Sequence, residues 1–348
     1  MLARIQSVAL SGLESVPVLV EVSITNGLPA FHVVGLPDAA VRESRERVVS
    51  ALRESGFQLP LRRVTVNLAP AHLRKEGSAF DLPIALAVLA ASGQLPGARM
   101  VGWVVAGELA LDGTLRRVRG ALALAEGAGR QPGAVFVVPR ANAREAALSA
   151  ALPVWPAATL REVAGWLTGQ GAPVPAVTAG AMPGSTPTAA ADDHALDDIA
   201  GQEHAKRALE AAAAGGHNVL FIGPPGAGKT LLARALPALL PPLAQAEALE
   251  VTRIASVAGL LGEGDRAALA TARPFRAPHA TISPAALLGG AGVGGAPRPG
   301  EITLAHHGVL FLDELPEFRR DAVEALRQPL EEGAITVSRA AGAVRFPA

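Results

Sequence analysis

The chain has 348 residues, half of them hydrophobic, 18 % charged and none cysteine. At roughly 100–200 residues per domain this predicts two domains, and it excludes a disordered chain, disulfides, a thiol nucleophile and a cysteine-bound metal cluster. The zero net charge hides a split: residues 1–168 carry 17 basic and 13 acidic side chains and the remainder 14 and 18, so any nucleic-acid contact rests on local patches.

The first elements read as short strands alternating with helices. Strands are expected at Arg4–Leu10, Val16–Ser23, Ala30–Val34, Arg63–Leu68, Trp103–Gly107 and Ala134–Val138. A helix opens at Pro37-Asp38, with Val41, Val48, Val49 and Leu52 on one side and Arg42, Arg45, Glu46 and Arg53 on the other. A second helix over Phe80–Ser92 is apolar on every face and is expected to be buried. Its apolar run, Leu82–Ala91, is about half the roughly 20 residues a bilayer span needs. The opening MLARIQSVALSG lacks the apolar stretch of a secretory signal, and a cytoplasmic location is expected. Together these elements predict an α/β domain with a mixed sheet over residues 1–168. Residues 169–195 are rich in Pro, Ala, Gly, Ser and Thr and read as a flexible linker. A second α/β domain is expected over 196–348.

That second domain holds the clearest chemical signal. A buried strand is predicted at Asn218–Ile222, followed by Gly223-Pro224-Pro225-Gly226-Ala227-Gly228-Lys229-Thr230 and a helix. This is a P-loop in its strand–loop–helix setting. Its glycines let successive backbone N–H groups converge on one anion at a helix N-terminus, so residues 223–230 are the candidate ATP-binding residues. Lys229 is placed to neutralise the β and γ phosphates, and the Thr230 hydroxyl to bind Mg²⁺. Residues 308–314, Gly-Val-Leu-Phe-Leu-Asp313-Glu314, read as a strand whose end meets the nucleotide. Asp313 would hold Mg²⁺ through water, and Glu314 would deprotonate the attacking water. Lys229 and Glu314 are therefore the candidate catalytic pair, Thr230 and Asp313 the candidate metal ligands, and ATP and Mg²⁺ the expected cofactors. After this strand a helix is predicted over Glu317–Glu332 and a hairpin over Ile335–Arg339 and Val344–Pro347.

These motifs carry a resemblance. DDIAGQEHAKRALEAAAAGGHNVLFIGPPGAGKTLLARALPALLPPL, RPFRAPHATISPAALLGG and PRPGEITLAHHGVLFLDELPEF resemble the ComM/YifB family of magnesium-chelatase-like AAA+ ATPases. VGLPDAAVRESRERVVSAL, NLAPAHLRKEGSAFDLPIALAVLAA and GELALDGTLRRVRGAL resemble the family's N-terminal domain, a Lon-protease-like, S5-like α/β module. The resemblance implies a hexameric, DNA-remodelling ring, and for the ComM members ATP-driven branch migration in natural transformation. It also implies that Gln202, in Ile199-Ala200-Gly201-Gln202, lies beside the adenine. A magnesium-chelatase-like metal-insertion motor and a non-enzymatic remnant are the alternatives. One departure is Pro278-His279-Ala280, where the family usually has two histidines; His279, His306 and His307 read as capping or packing residues.

Lon-type proteolysis needs a serine activated by a lysine. Ser78 lies near the corresponding place but offset, and no lysine occurs in 76–205, so a scaffold or DNA-binding role outranks protease activity. A basic face is expected from Arg42, Arg45, Arg47, Arg62, Arg63, Arg74, Arg116, Arg117 and Arg119, with a solvated, Glu-studded surface as the equal alternative. In the insert Ala255–Glu301 and the terminal hairpin, Arg273, Arg276, Arg298, Arg339 and Arg345 are candidates for DNA backbone contact or for ordinary salt bridges.

The resemblance implies the AAA+ strand order 5-1-4-3-2, with the P-loop strand first and the Asp313 strand third. Strands 4 and 5, a γ-phosphate sensor, an arginine finger and a lid are expected beyond Ala348, which leaves an incomplete P-loop NTPase domain whose first strand lacks both neighbours. The purified 348-residue chain is accordingly expected to bind ATP weakly and hydrolyse almost none. Turnover at ordinary AAA+ rates in a steady-state phosphate-release assay would overturn this.

Overall fold

The computed structural model describes residues 1–149, 152–176, 196–197, 199–261, 269–291, 297–339 and 342–348. In chain order the first elements are β1 (Leu2–Ser11), β2 (Glu14–Thr25), β3 (Ala30–Val34), α1 (Ala39–Glu54), β4 (Arg63–Ala69) and α2 (Asp81–Ala91). They are followed by β5 (Trp103–Val105), the short ribbon β6 (Glu108–Leu109) and β7 (Leu115–Arg116), α3 (Ala121–Gly129), β8 (Val135–Pro139), α4 (Ala143–Ala147), β9 (Val154–Ala157) and α5 (Leu160–Thr168).

Seven of these strands form one mixed sheet in the order β3-β4-β2-β1-β5-β8-β9. Strand β2 shows why: Val18, Val20, Val22 and Ile24 are buried while their neighbours are less so, the period-2 pattern of a pleated strand. It pairs antiparallel with β1 along its length and with β4 on its other side. The Asp38 carboxylate caps α1 by accepting the Val41 N–H at 2.7 Å, and α1 turns Val41, Val48 and Leu52 inward as its spacing predicts. Helix α2 is buried at every residue except Ala90. Each fully buried Leu, Ile or Val there is worth roughly 1.5–3 kcal/mol against exposure. Its one charge, Asp81, is held by the Arg47 guanidinium at 2.6 and 3.0 Å, and burial raises its pKa to about 6.

The edge strand β9 escapes sequence reading because it is four residues long and contains Pro156, which a sheet tolerates at an edge. All three tryptophans of the chain pin it: Trp155 meets Trp103 of β5 edge-on at 5.4 Å and Trp166 of α5 at 6.4 Å. Of the linker expected over 169–195, residues 177–195 lie outside the described residues. Within the described part, the Ala176 N–H donates to the Val154 carbonyl at 2.7 Å.

The later elements are α6 (Glu203–Gly215), α7 (Lys229–Leu239), α8 (Gln245–Ala258), β10 (Phe275–Arg276), α9 (Pro284–Leu288), β11 (Gly289–Ala291) and β12 (Pro297–Pro299). Then come α10 (Glu301–Leu304), β13 (Val309–Leu310), α11 (Arg320–Glu324), α12 (Arg327–Glu332), β14 (Ala334–Arg339) and β15 (Gly342–Pro347). The hairpin β14–β15 forms as expected. Three expectations are corrected. Asn218–Ile222 is not a strand: among the described residues no strand pairs with it, and Leu220 and Ile222 are 71 % and 89 % exposed. A strand that cannot satisfy its backbone on a neighbour keeps those groups in water. The strand expected over 308–314 contracts to β13, which pairs parallel with β10. The helix over Glu317–Glu332 is broken into α11 and α12, because Pro329 has no N–H to carry the hydrogen-bond ladder back across residues 325–326.

Helix α8 packs on α3 and ties these elements to the first sheet. Ile254 and Val257 meet Leu13, Ala123 and Phe346 in one apolar cluster. Beside it the fully buried Glu145 carboxylate accepts hydrogen bonds from Arg117 (2.9 Å), the Ala121 N–H (2.9 Å), Ser256 (2.5 Å) and Asn142 (3.3 Å). Among the described residues no helix is long and apolar enough to cross a membrane.

Removing the Glu145 carboxylate would strand the Arg117 guanidinium in a poorly solvated place. Glu145→Ala is expected to lower the unfolding free energy by about 3–5 kcal/mol and Glu145→Gln by less, read from urea denaturation midpoints. Equal stability of Glu145→Ala and the unsubstituted chain would contradict it.

Candidate functional site

Two segments 83 residues apart meet at the P-loop. Gly226 and Gly228 adopt left-handed backbone (φ +79° and +83°) with nothing within 4 Å of where a Cβ would stand, so glycine is required by conformation and not by space. Gly228 then opens α7, whose first-turn N–H groups face the loop. The Lys229 ammonium folds back and donates to the carbonyls of Gly223 (2.8 Å) and Pro224 (2.9 Å), closing the loop on itself. Gly223, Pro224, Pro225 and Gly226 are exposed, while Ala227, Gly228, Lys229 and Thr230 are half-buried.

The Thr230 hydroxyl donates to Asp313 Oδ2 at 3.1 Å, and Asp313 Oδ1 accepts the Glu314 N–H at 3.1 Å. The expected metal ligands are therefore adjacent, on an exposed carboxylate and a half-buried hydroxyl. Glu314 follows in left-handed backbone (φ 53°), an uncommon conformation for a non-glycine residue, and is exposed beside them. Oxygen donors of this kind at a helix N-terminus suit a hard divalent cation such as Mg²⁺ carried on phosphates. Gln202, also left-handed (φ 60°), reaches the loop: its side-chain amide donates to the Ala227 carbonyl at 3.2 Å.

The Asp313 side is built on the β10–β13 pair. Phe275 lies opposite Val309 in register and stacks on Phe311 with ring centroids 6.0 Å apart. Gly308 lets the strands approach, since a Cβ there would lie 2.0 Å from the Pro274 carbonyl oxygen. Arg276 is held bidentate by Glu301 at 2.6 and 2.8 Å, and Arg273 donates to Pro241 O, His307 O and Glu247. These two arginines thus serve as salt bridges. Arg298 and Arg345 are on strands β12 and β15, and the side chain of Arg339 lies outside the described residues. Of the expected basic face, Arg47 and Arg117 are committed to Asp81 and Glu145, whereas Arg42, Arg62, Arg63 and Arg119 are exposed.

In the first domain, the Ser78 hydroxyl donates to Glu108 and the buried Lys75 ammonium to the Pro70 carbonyl. Burial holds Lys75 below the usual lysine range. Serine and lysine thus each have another hydrogen-bond partner.

One constellation was missed by sequence reading. His306 and His307, both read there as packing residues, converge on Glu250 of α8, while His279 is bonded to Thr281. The signal was present as Glu247 and Glu250, one helical turn apart, and an adjacent histidine pair. The two imidazoles hold the Glu250 carboxyl below its ordinary range, His307 contributing most.

Comparison with known proteins fits this geometry. The family model described as magnesium chelatase, subunit ChlI, matches residues 195–348, and that described as subunit ChlI of Mg-chelatase matches 20–142. The chain is 46 % identical over its whole length to an uncharacterized protein, YifB, of Salmonella typhimurium, covering 66 % of that protein. It is also 46 % identical to the competence protein ComM of Haemophilus influenzae, covering all of this chain and 67 % of that protein. A shorter similarity, 31 % over 137 residues, links it to Lon protease 2 of Bacillus subtilis. The chain thus spans about two thirds of the length of the YifB and ComM relatives.

Titration with a fluorescent ATP analogue and Mg²⁺ is expected to show ~10-fold or greater loss of affinity in Lys229→Ala, the scale of one charge-assisted contact. Thr230→Ala should weaken only the Mg²⁺-dependent part of binding. Unchanged affinity in Lys229→Ala would show that the phosphates bind elsewhere.

Proposed function

Because the chain belongs to the ComM/YifB family of magnesium-chelatase-like proteins, we propose that it is the ATP-binding part of an AAA+ ATPase that remodels DNA as a hexameric ring. The contact between Thr230 and Asp313, which joins a P-loop to an acidic strand end across 83 residues, carries this reading. On it, the backbone N–H groups of 223–230 and the Lys229 ammonium bind the phosphates, the lysine exchanging the carbonyls of Gly223 and Pro224 for phosphate oxygens. Thr230, and Asp313 through water, would hold Mg²⁺, which would supply neutralisation of phosphate charge. Glu314 accepts a proton from the attacking water. Gln202 fixes the loop through Ala227 and places the residues before it near the base. In the same reading the chain divides into a non-proteolytic Lon-like domain over 1–168, a linker over 169–195 and an ATPase part over 196–348.

DNA as the partner is supported by the name of the competence relative and by exposed arginines that remain uncommitted to buried carboxylates, among them Arg42, Arg62 and Arg63. The family models, named for a chelatase subunit, favour a second reading, a metal-insertion motor acting with separate partners. The similarity to Lon protease 2 and the whole-length match to the competence relative favour the first reading.

ATP turnover of the protein at the length of its relatives decides between them. Four-way-junction DNA is expected to stimulate turnover several-fold, and Lys229→Ala or Glu314→Gln to abolish it. Stimulation by a porphyrin-loaded chelatase partner but not by junction DNA would replace the first reading by the second.

A further inference from the structure

Three side chains outside the nucleotide site converge on one point. His306 Nε2 lies 3.2 Å from Glu250 Oε2, and His307 Nε2 lies 2.8 Å from the same oxygen. Their ligand atoms all fall within 4.8 Å of one another. The rings are 3.9 Å apart between centroids. His306 Nδ1 donates to the backbone oxygen of Ala348 at 3.0 Å, which fixes the tautomer. In the neutral ring Nε2 then carries a lone pair, and that lone pair faces a carboxylate oxygen. His307 Nε2 faces the same oxygen, so two ring nitrogens and one carboxylate oxygen converge where a single cation can be shared by all three.

We propose that His306, His307 and Glu250 form a binding site for a divalent transition-metal ion of the Zn²⁺ class, separate from the Mg²⁺ expected with nucleotide. Two imidazole nitrogens and one carboxylate oxygen are the donor set such an ion takes, and two imidazoles do not suit Mg²⁺. Metal–ligand bonds near 2.0–2.1 Å place tetrahedral donors roughly 3.3 Å apart, so the two nitrogen–oxygen spacings of 3.2 and 2.8 Å need to open by about half an ångström at most. The other ring nitrogen of His306 has the outer contact expected of a metal ligand, a backbone oxygen, while the neighbouring Glu247 is engaged by the Arg273 guanidinium at 3.1 Å and the Ala244 N–H at 3.0 Å. Glu247, so engaged, stays outside the set, although its carboxylate lies 3.7 Å from His307 Nδ1. That leaves three protein ligands and one position for water. Beside it His306 forms part of the wall of a cavity of about 250 Å³ with Phe275, Leu304 and Leu260. The ion would clamp α8 to the turn entering β13, six residues before Asp313, and its first effect is on the rigidity of that strand. None of this depends on the proposed ATPase activity.

The test uses Co²⁺ and Zn²⁺ on the untagged chain. Co²⁺ is expected to bind one per chain with the visible absorption of a tetrahedral site, and Zn²⁺ to displace it while excess Mg²⁺ does not. His306→Ala, His307→Ala and Glu250→Gln should each weaken binding by ~10-fold or more, and His279→Ala should leave it unchanged. Zn²⁺ should raise the melting temperature of the unsubstituted chain and not of Glu250→Gln. Should a substituted chain fail to fold, X-ray absorption of the Zn²⁺-loaded unsubstituted chain decides, two imidazoles in the first shell supporting the site. An all-oxygen shell, binding no tighter than millimolar, or affinity indifferent to all three substitutions would each overturn it.

Discussion

The Glu145 carboxylate is the point on which the two halves of the molecule are aligned. It is fully buried, and every group it binds comes from a different place: the β7–α3 turn, the first turn of α3, the start of α4 and the last turn of α8. A buried carboxylate tolerates no loss of partners, because each unmade bond leaves a desolvated polar atom. The four contacts are therefore satisfied together or the helices do not pack. The second half of the chain inherits its orientation from this. Arg117, held by Glu145, also donates to the Leu261 carbonyl at 2.9 Å, and the Gly120 N–H donates to the Ser256 carbonyl at 3.2 Å, so several bonds converge on the C-terminal end of α8.

From α8 the alignment passes to the candidate site by polar contacts. Glu247 and Glu250 reach from it toward Arg273, His306 and His307, which bracket the β10–β13 pair. Asp313 stands at the end of that pair and meets Thr230. The acidic side is thus anchored through a continuous set of buried and half-buried groups. The loop side is not anchored in the same way. The segment before it, Asn218–Ile222, has exposed apolar side chains and no strand partner among the described residues, and the loop is held by Lys229, Gln202 and the single bond to Asp313.

This asymmetry also explains what could be read from the sequence. The long strands of the first sheet were legible because each carries its own period-2 pattern and finds a neighbour; β3 agrees with the expected bounds, and β1, β2 and β4 extend them by only a few residues. Helix α1 was legible from its cap and its apolar stripe. The segment 218–222 has the composition of a buried strand, yet composition supplies no partner, and backbone pairing is a property of other segments. β9 failed in the opposite direction: four residues with a proline look like loop until Trp103 and Trp166 close on Trp155.

The candidate site divides along the same line. Its loop residues were legible because a P-loop is a local device, in which the conformation of Gly226 and Gly228 and the start of α7 are set by adjacent residues. Asp313 and Glu314 were legible only through their spacing from that loop. The grouping of His306 and His307 with Glu250 was not legible, since the histidines lie 56 and 57 residues from the carboxylate and no local pattern marks the meeting. What brings them together is the packing of α8 against α3, and that packing is in turn set by Glu145 and the Ile254–Val257 face. The acidic half of the nucleotide site and the histidine cluster therefore share one support. A change that loosens α8 reaches both, whereas a change in the loop at 223–228 is confined to the phosphate side.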